Sequence, residues 1–447
     1  MPLTETAPAA LDLSYVRSQF PSLSQSVNGH PAAFLDGPGG TQVPQRVIDA
    51  ISNYLRRDNA NTGGAYSTSR NTDAMLADAR SAMTDFLNCA ADEIVFGPNM
   101  TTLTYAISRA IGRDLGPGDE ILVTRLDHDA NVSPWLALEE RGVTIRWAEI
   151  HEDDCTLDLA DLASKINDRT KLVAVGYASN AVGTINPVKA IIRLAHGVGA
   201  LAYVDAVHYG PHGLIDVAAL DCDFLVCSTY KFFGPHMGVL FGKRDHLARL
   251  RPYKVRPLTD AVPNRWEWGT LNHECIAGIT ACVNYIADLG RENVGTTTEY
   301  VGTLTPGCPS GEARSLTTSR RAAIVAAFET IHHYEHSLMN RLITGLAQIP
   351  RIKMYGITDP ARFSERCPTI ALRVVNQTPE QTPLALSKKL GDQGFFTWDG
   401  NYYALNLTER LDVEKSGGFL RIGLVHYNTA EEVDRLLAAL SKIVTQS

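Results

Sequence analysis

The sequence predicts an α/β protein with a mainly parallel sheet covered by helices on both faces, followed by a smaller α+β domain. Three observations predict it. Strand-like and helix-like segments alternate from about Arg46 to Leu289, as a parallel sheet with crossover helices requires. After Gly290 the rhythm breaks. Chemically distinctive side chains follow directly on apolar runs, at the strand ends where such sheets bind ligands.

The elements can be taken in order. Gln45–Arg57 and Thr72–Leu87 have the apolar spacing of amphipathic helices. Glu93–Phe96, Glu120–Thr124, Thr144–Ile150, Lys171–Gly176, Leu201–Val204 and Phe224–Cys227 are short apolar runs that read as strands. Pro134–Arg141 and Ile191–Gly197 are helical stretches between them. Gly295–Ser310 is rich in Gly, Thr and Pro and reads as a loop. Arg320–Leu346 reads as one long helix, Thr369–Val375 and Phe419–Val425 contain strands, and a last helix starts at Ala430. The expected division is an N-terminal segment over 1–31 that packs with the small domain, a large ligand-binding domain over 32–294, a linker over 295–319 and a small C-terminal domain over 320–447.

Composition narrows the function classes. The 447 residues allow about two or three domains. A net charge of −8 with no basic run gives no electrostatic support for nucleic-acid binding. No apolar run approaches the ~18 residues that span a membrane. The N-terminus lacks the basic and apolar regions of a secretory signal, so a cytoplasmic location is expected. The eight cysteines are scattered, without a C-x-x-C pair or metal-ligand spacing, and read as reduced, mostly buried thiols.

Asp205 closes the apolar run Leu201–Val204, and His208 follows three residues on. Lys231 comes just after the next strand, in Ser228-Thr229-Tyr230-Lys231. Adjacent strand ends would present a carboxylate and an amine to one crevice. Pyridoxal 5′-phosphate (PLP) needs this pair: a lysine for its aldehyde, and a carboxylate to keep its pyridine nitrogen protonated. Either residue alone would be unremarkable, as a turn aspartate or a surface lysine.

The segment Ser228-Thr229-Tyr230-Lys231-Phe232-Phe233-Gly234-Pro235-His236-Met237-Gly238 resembles the lysine motif of fold-type I PLP enzymes, within the class V aminotransferase family. Cysteine desulfurases are its best-known relatives, and the resemblance runs from Leu35-Asp36 to the final helix. It implies a large domain with a seven-stranded-type sheet, and a homodimer with composite active sites. Asn99-Met100-Thr101-Thr102 opens a helix whose free N–H groups suit a phosphate, although threonines also make plain N-caps. By resemblance Met100 and Thr101 bind the PLP phosphate, Ser228 adds a hydroxyl, and Tyr230 belongs to the cofactor site. His128, in Asp127-His128-Asp129-Ala130-Asn131, falls where the family stacks an imidazole on the ring. Asn180 matches the asparagine beside cofactor and substrate carboxylate, and His208 the residue that bonds the phenolic oxygen. Gly269-Thr270 matches the turn that reaches the phosphate of the other subunit. Arg421 matches the arginine that grips the substrate carboxylate, for which a bidentate fork is the natural device.

One position departs from the desulfurase pattern. In the register set by Gly394 and Arg421, the place of the nucleophilic cysteine holds Tyr403, and Trp398 replaces an arginine just upstream. No cysteine occurs between Cys367 and the C-terminus. Cys308 is the one loop cysteine to consider. The resemblance therefore implies a PLP enzyme acting on cysteine or a related small amino acid, by β-elimination or desulfuration, with no sulfur acceptor identified and no metal. An aminotransferase or an epimerase/decarboxylase-type enzyme on a specialised amino acid is the alternative, with Trp398, Tyr402 and Tyr403 lining a larger pocket. A non-enzymatic scaffold retaining the fold is a third.

Overall fold

A computed structural model of the chain describes residues 11–294 and 319–445. Its centre is a seven-stranded sheet. The spatial order is Ile94–Gly97, Gly238–Gly242, Phe224–Ser228, Leu201–Asp205, Thr170–Gly176, Glu120–Thr124, Thr144–Ala148. All neighbours are parallel except Gly238–Gly242, which is antiparallel on both sides. That strand does not stand out in the sequence. It follows the lysine motif with no intervening helix, and so short a connection cannot return a parallel strand.

The central strands are apolar throughout because both faces are covered. Leu122, Val173, Val175, Ala202, Val204 and Leu225 point into one core. Their alternates Ile121, Val123, Leu172, Ala174, Tyr203 and Phe224 point into the other. The register pairs Asp205 with Gly176 on one side and with Val226 on the other. The carboxyl ends of three neighbouring strands thus open onto one edge.

A second, four-stranded antiparallel sheet has the order Ile352–Tyr355, Thr369–Val374, Phe419–Gly423, Trp398–Gly400. It packs with the helices Arg320–Ala347, Pro383–Gly391 and Ala430–Thr445 around Leu338, Leu342, Leu386 and Leu436. The long helix begins where Ser319 Oγ accepts the Ala322 N–H at 3.2 Å, and it lies along the helix His273–Val294. The chain near the N-terminus joins this part: Ala33–Phe34 pairs with Phe395–Phe396, and Asp36 bridges to Gly423. The loop expected over 295–310 lies outside the described residues. No helix among the described residues is long and apolar enough to cross a membrane.

Candidate active site

Lys231 ends the turn Thr229–Lys231, directly after the strand Phe224–Ser228. Its Nζ donates to the carbonyls of Pro38 and Gly39, the latter at 3.0 Å. Burial and the Arg421 guanidinium push its pKa down to about 7, against the opposite pull of Asp36 and Asp205. The amine is therefore readily neutral near physiological pH. Asp205 ends the neighbouring strand, and its Oδ1 accepts the Val207 N–H at 2.9 Å. Burial raises its pKa to about 6, while that N–H and Lys231 oppose the rise.

His128 caps the turn after Glu120–Thr124, its Nδ1 accepting the Ala130 N–H at 3.0 Å. Burial, Lys231 and Arg421 push its pKa down to about 4, so the ring is neutral with its proton on Nε2. The ring of Tyr403 stacks on it. Asp127 was not singled out in the sequence, although it adjoins His128. Its Oδ1 accepts the Gly176 N–H at 2.7 Å and its Oδ2 the Asn131 amide at 3.1 Å. Burial raises it to about 8, with nearby Asp205 adding to the rise.

The helix Met100–Ile111 starts at Asn99, whose Oδ1 accepts the Thr102 N–H at 2.8 Å. Its first N–H, on Met100, reaches Ser228 Oγ at 3.3 Å. Gly238 packs against this turn, where an added Cβ would come 2.7 Å from Asn99 O. Only a glycine lets the antiparallel strand pass so close.

Arg421 projects from the strand Phe419–Gly423. Nη2 pairs with Asp36 Oδ1 at 2.7 Å, Nη1 donates to Asn180 O at 3.0 Å, and the guanidinium lies 4.1 Å from the Tyr402 ring centroid. Asn180 Nδ2 donates to Tyr402 O at 2.9 Å. Asp36 is a partner that the sequence did not mark. Tyr402 and Tyr403 have φ of 55° and 60°, a left-handed conformation rarely taken by bulky residues. Tyr402 is pinned there by its hydroxyl, which donates to Phe419 O and to Trp398 O, the latter at 3.1 Å.

These residues share one cavity of about 880 Å³. Met100, Thr101, His128, Asn180, Asp205, His208, Tyr230, Lys231, Tyr403 and Arg421 all line it. Ser228 does not, because its hydroxyl is buried against Met100. Gly269 and Thr270 are exposed and border a separate cavity beside Gly97 and His236. No described cysteine lines the main cavity, and Cys308 lies outside the described residues. The donor set fits PLP: an amine, a buried carboxylate and a helix start converge, and Asn180 Oδ1 and Arg421 Nε are buried without partners. The volume is of the size that holds a cofactor together with a small substrate.

The class-V aminotransferase family profile matches residues 33–301 and 319–436. The cysteine desulfurase of Pectobacterium atrosepticum is 32% identical over 445 residues, covering 96% of this chain and 97% of its own length. An aminotransferase-like protein of Gibberella zeae is 29% identical, covering 98% and 99%. In fold, the apo cysteine desulfurase of Thermococcus onnurineus superposes with a TM-score of 0.81 at 24% identity, covering 99% of this chain and all of that one. Cysteine desulfurases and class V aminotransferases depend on PLP, and the profile spans both sheets and the cavity between them. The chain belongs to the class-V aminotransferase family of PLP-dependent enzymes.

Proposed function

We propose that this enzyme binds PLP in the 880 Å³ cavity and cleaves the C–S bond of cysteine or a related small amino acid. The observation that carries the reading is the convergence of Lys231, Asp205 and Arg421 on that cavity, with Tyr403 where relatives place a thiol. When bound, PLP supplies an aldehyde for the substrate amine and a ring that accepts the electron pair released at Cα.

The chain's own residues divide the remaining work. Lys231, neutral near pH 7, holds the cofactor and then takes the Cα proton. Asp205 keeps a proton on the ring nitrogen. The N-terminus of Met100–Ile111 receives the phosphate. Arg421 and Asn180 orient the substrate carboxylate, with Asp36 fixing the plane of the fork. Thiolate leaves Cβ with the bonding electron pair. For cysteine the balance is cysteine plus water giving pyruvate, ammonia and hydrogen sulfide, which needs no enzyme thiol.

Incubating purified protein with PLP and L-cysteine tests this. Sulfide with equimolar pyruvate is the expected result. Alanine in place of pyruvate indicates desulfuration with an external sulfur acceptor, and neither product rules out cysteine as the substrate. Lys231→Ala should lower turnover by about 10²- to 10⁴-fold or more. A second reading, transamination of a larger amino acid, is favoured by Leu384, Trp398 and Tyr402 along the cavity wall. It predicts a keto acid without ammonia release.

We also read the active form as a homodimer, because Gly269 and Thr270 sit outside their own chain's cavity. Mixing Lys231→Ala chains with chains altered at Thr270 should then restore part of the activity that each lacks alone.

A further inference from the structure

We propose that His208, His212 and Cys367 form a binding site for one divalent metal ion, zinc being the best chemical match. The two histidines lie on the turn after the strand Leu201–Asp205, and Cys367 just precedes Thr369–Val374 of the second sheet. A ring nitrogen of each histidine and Cys367 Sγ all lie within 4.8 Å of one another. The side chains are deeply buried, with His208 and His212 4% exposed and Cys367 1%. In a tetrahedral zinc site, bonds of about 2.1–2.3 Å put ligand atoms roughly 3.5 Å apart. Small side-chain rotations close that difference.

Two further observations point to a bound group. Nε2 of His208 and Nε2 of His212 are both buried and have no hydrogen-bond partner. Buried polar atoms are almost always satisfied, so two orphaned imidazole nitrogens on neighbouring rings, with centroids 5.2 Å apart, call for a third party. In addition, Glu335, from the helix Arg320–Ala347, accepts His212 Nδ1–H on Oε2 at 2.7 Å while its Oε1 is unpaired. A carboxylate behind a ligating imidazole fixes the tautomer that offers Nε2 to a metal.

The charges also match. Two neutral imidazoles, one thiolate, the Glu335 carboxylate and a doubly charged cation sum to zero over the ligands and the carboxylate behind them. Burial and Glu335 hold the Cys367 thiol protonated in the metal-free protein, against the pull of the Arg366 guanidinium beside it, so a bound cation would have to displace that proton. A set of two nitrogens and one sulfur suits zinc and excludes magnesium and calcium, which take oxygen ligands. His212, Glu335 and Cys367 border a second cavity of about 500 Å³, also lined by His332 and His336, which gives an ion a way in.

The site would cross-link the two halves of the fold, because its histidines come from the first sheet and its cysteine and carboxylate from the second part. It would also fix the ring of His208, whose remaining nitrogen is free to serve the main cavity.

The test uses the full-length, PLP-loaded protein purified without a metal-affinity step. After dialysis with zinc and removal of the excess, about one zinc per chain is expected by atomic emission, with a raised melting temperature. Cobalt added to chelator-treated protein should give a thiolate-to-cobalt charge-transfer band. Cys367→Ser should abolish that band and weaken zinc binding by more than about 100-fold, and His212→Gln should do likewise. Cys222→Ser, altering a buried cysteine elsewhere, should change neither. Cofactor absorbance reports whether each variant folds. Wild-type protein that retains no zinc and shows no thiolate band overturns the proposal, and a buried water then satisfies the imidazoles. Activity toward cysteine is not part of the readout, so the two proposals stand or fall separately.

Discussion

Tyr403 stacks on His128, with ring centroids 5.4 Å apart and planes inclined by 27°, and its carbonyl accepts the Asp129 N–H at 2.7 Å. The residue that the family resemblance sets at the place of the desulfurase cysteine is thus a built part of the wall, although 71% exposed. A ring pair of this kind contributes about 0.5–1.5 kcal/mol. Tyr403→Phe should keep kcat/KM within about twofold, whereas Tyr403→Ala should lower it by roughly 2- to 13-fold. A large loss in the phenylalanine variant would mean that the hydroxyl, rather than the ring, is used.

Arg421 and Asp36 should be separable by kinetics. Arg421→Lys removes the planar fork and should raise KM at least about tenfold, because a point charge cannot replace a bidentate grip. Asp36→Asn removes a negative charge that favours protonated Lys231. The lysine pKa should fall below about 7, and the acid limb of the pH–rate profile should move to lower pH. An unmoved limb would show that the limb belongs to another group.

The cofactor-free protein should show the burial of Asp205 in its stability. Its carboxyl is raised from 3.8 to about 6, so between those values the folded state binds more protons than the unfolded state. Stability from this group is then present below pH 4 and is lost as pH rises through 6. Asp205→Asn removes the effect. Wild type should lose roughly 3 kcal/mol relative to the variant between pH 4 and pH 7. Denaturant melts across that range measure it. Added PLP should shrink the difference by pairing the carboxylate.

Gly238→Ala should act on the cofactor rather than on the core. The methyl group would press on Asn99 O and displace the start of the helix Met100–Ile111. Overpacking of this kind costs about 1–3 kcal/mol. If the displaced turn holds the phosphate, PLP affinity should fall about tenfold, as read by equilibrium dialysis. An unchanged affinity would remove that turn from the phosphate site.

Much of this arrangement was legible in the sequence, because strand ends and their first polar residues are local features. Gln45–Arg57 and Glu120–Thr124 fall where periodicity places them, and most other elements shift by only a few residues. The strands Ile352–Tyr355 and Trp398–Gly400 escaped notice because they are short and half-buried, with weak alternation. Asp36 escaped for a different reason. Its role depends on a partner 385 positions away, and no local pattern encodes such a pairing. Asp127 carries no signal in the sequence beyond adjoining His128, and only the depth of its burial distinguishes it.

The stretch from Asp36 to Gly39 ties together groups that enzymology would treat as independent. Asp36 holds the guanidinium, Pro38 and Gly39 hold the lysine amine, and a Cβ at position 39 would meet the Asp36 carboxyl carbon at 2.6 Å. Changes here should therefore be epistatic. A side chain at position 39 would disturb substrate grip and proton transfer together, and a smaller residue at position 36 would be the first place to seek a suppressor.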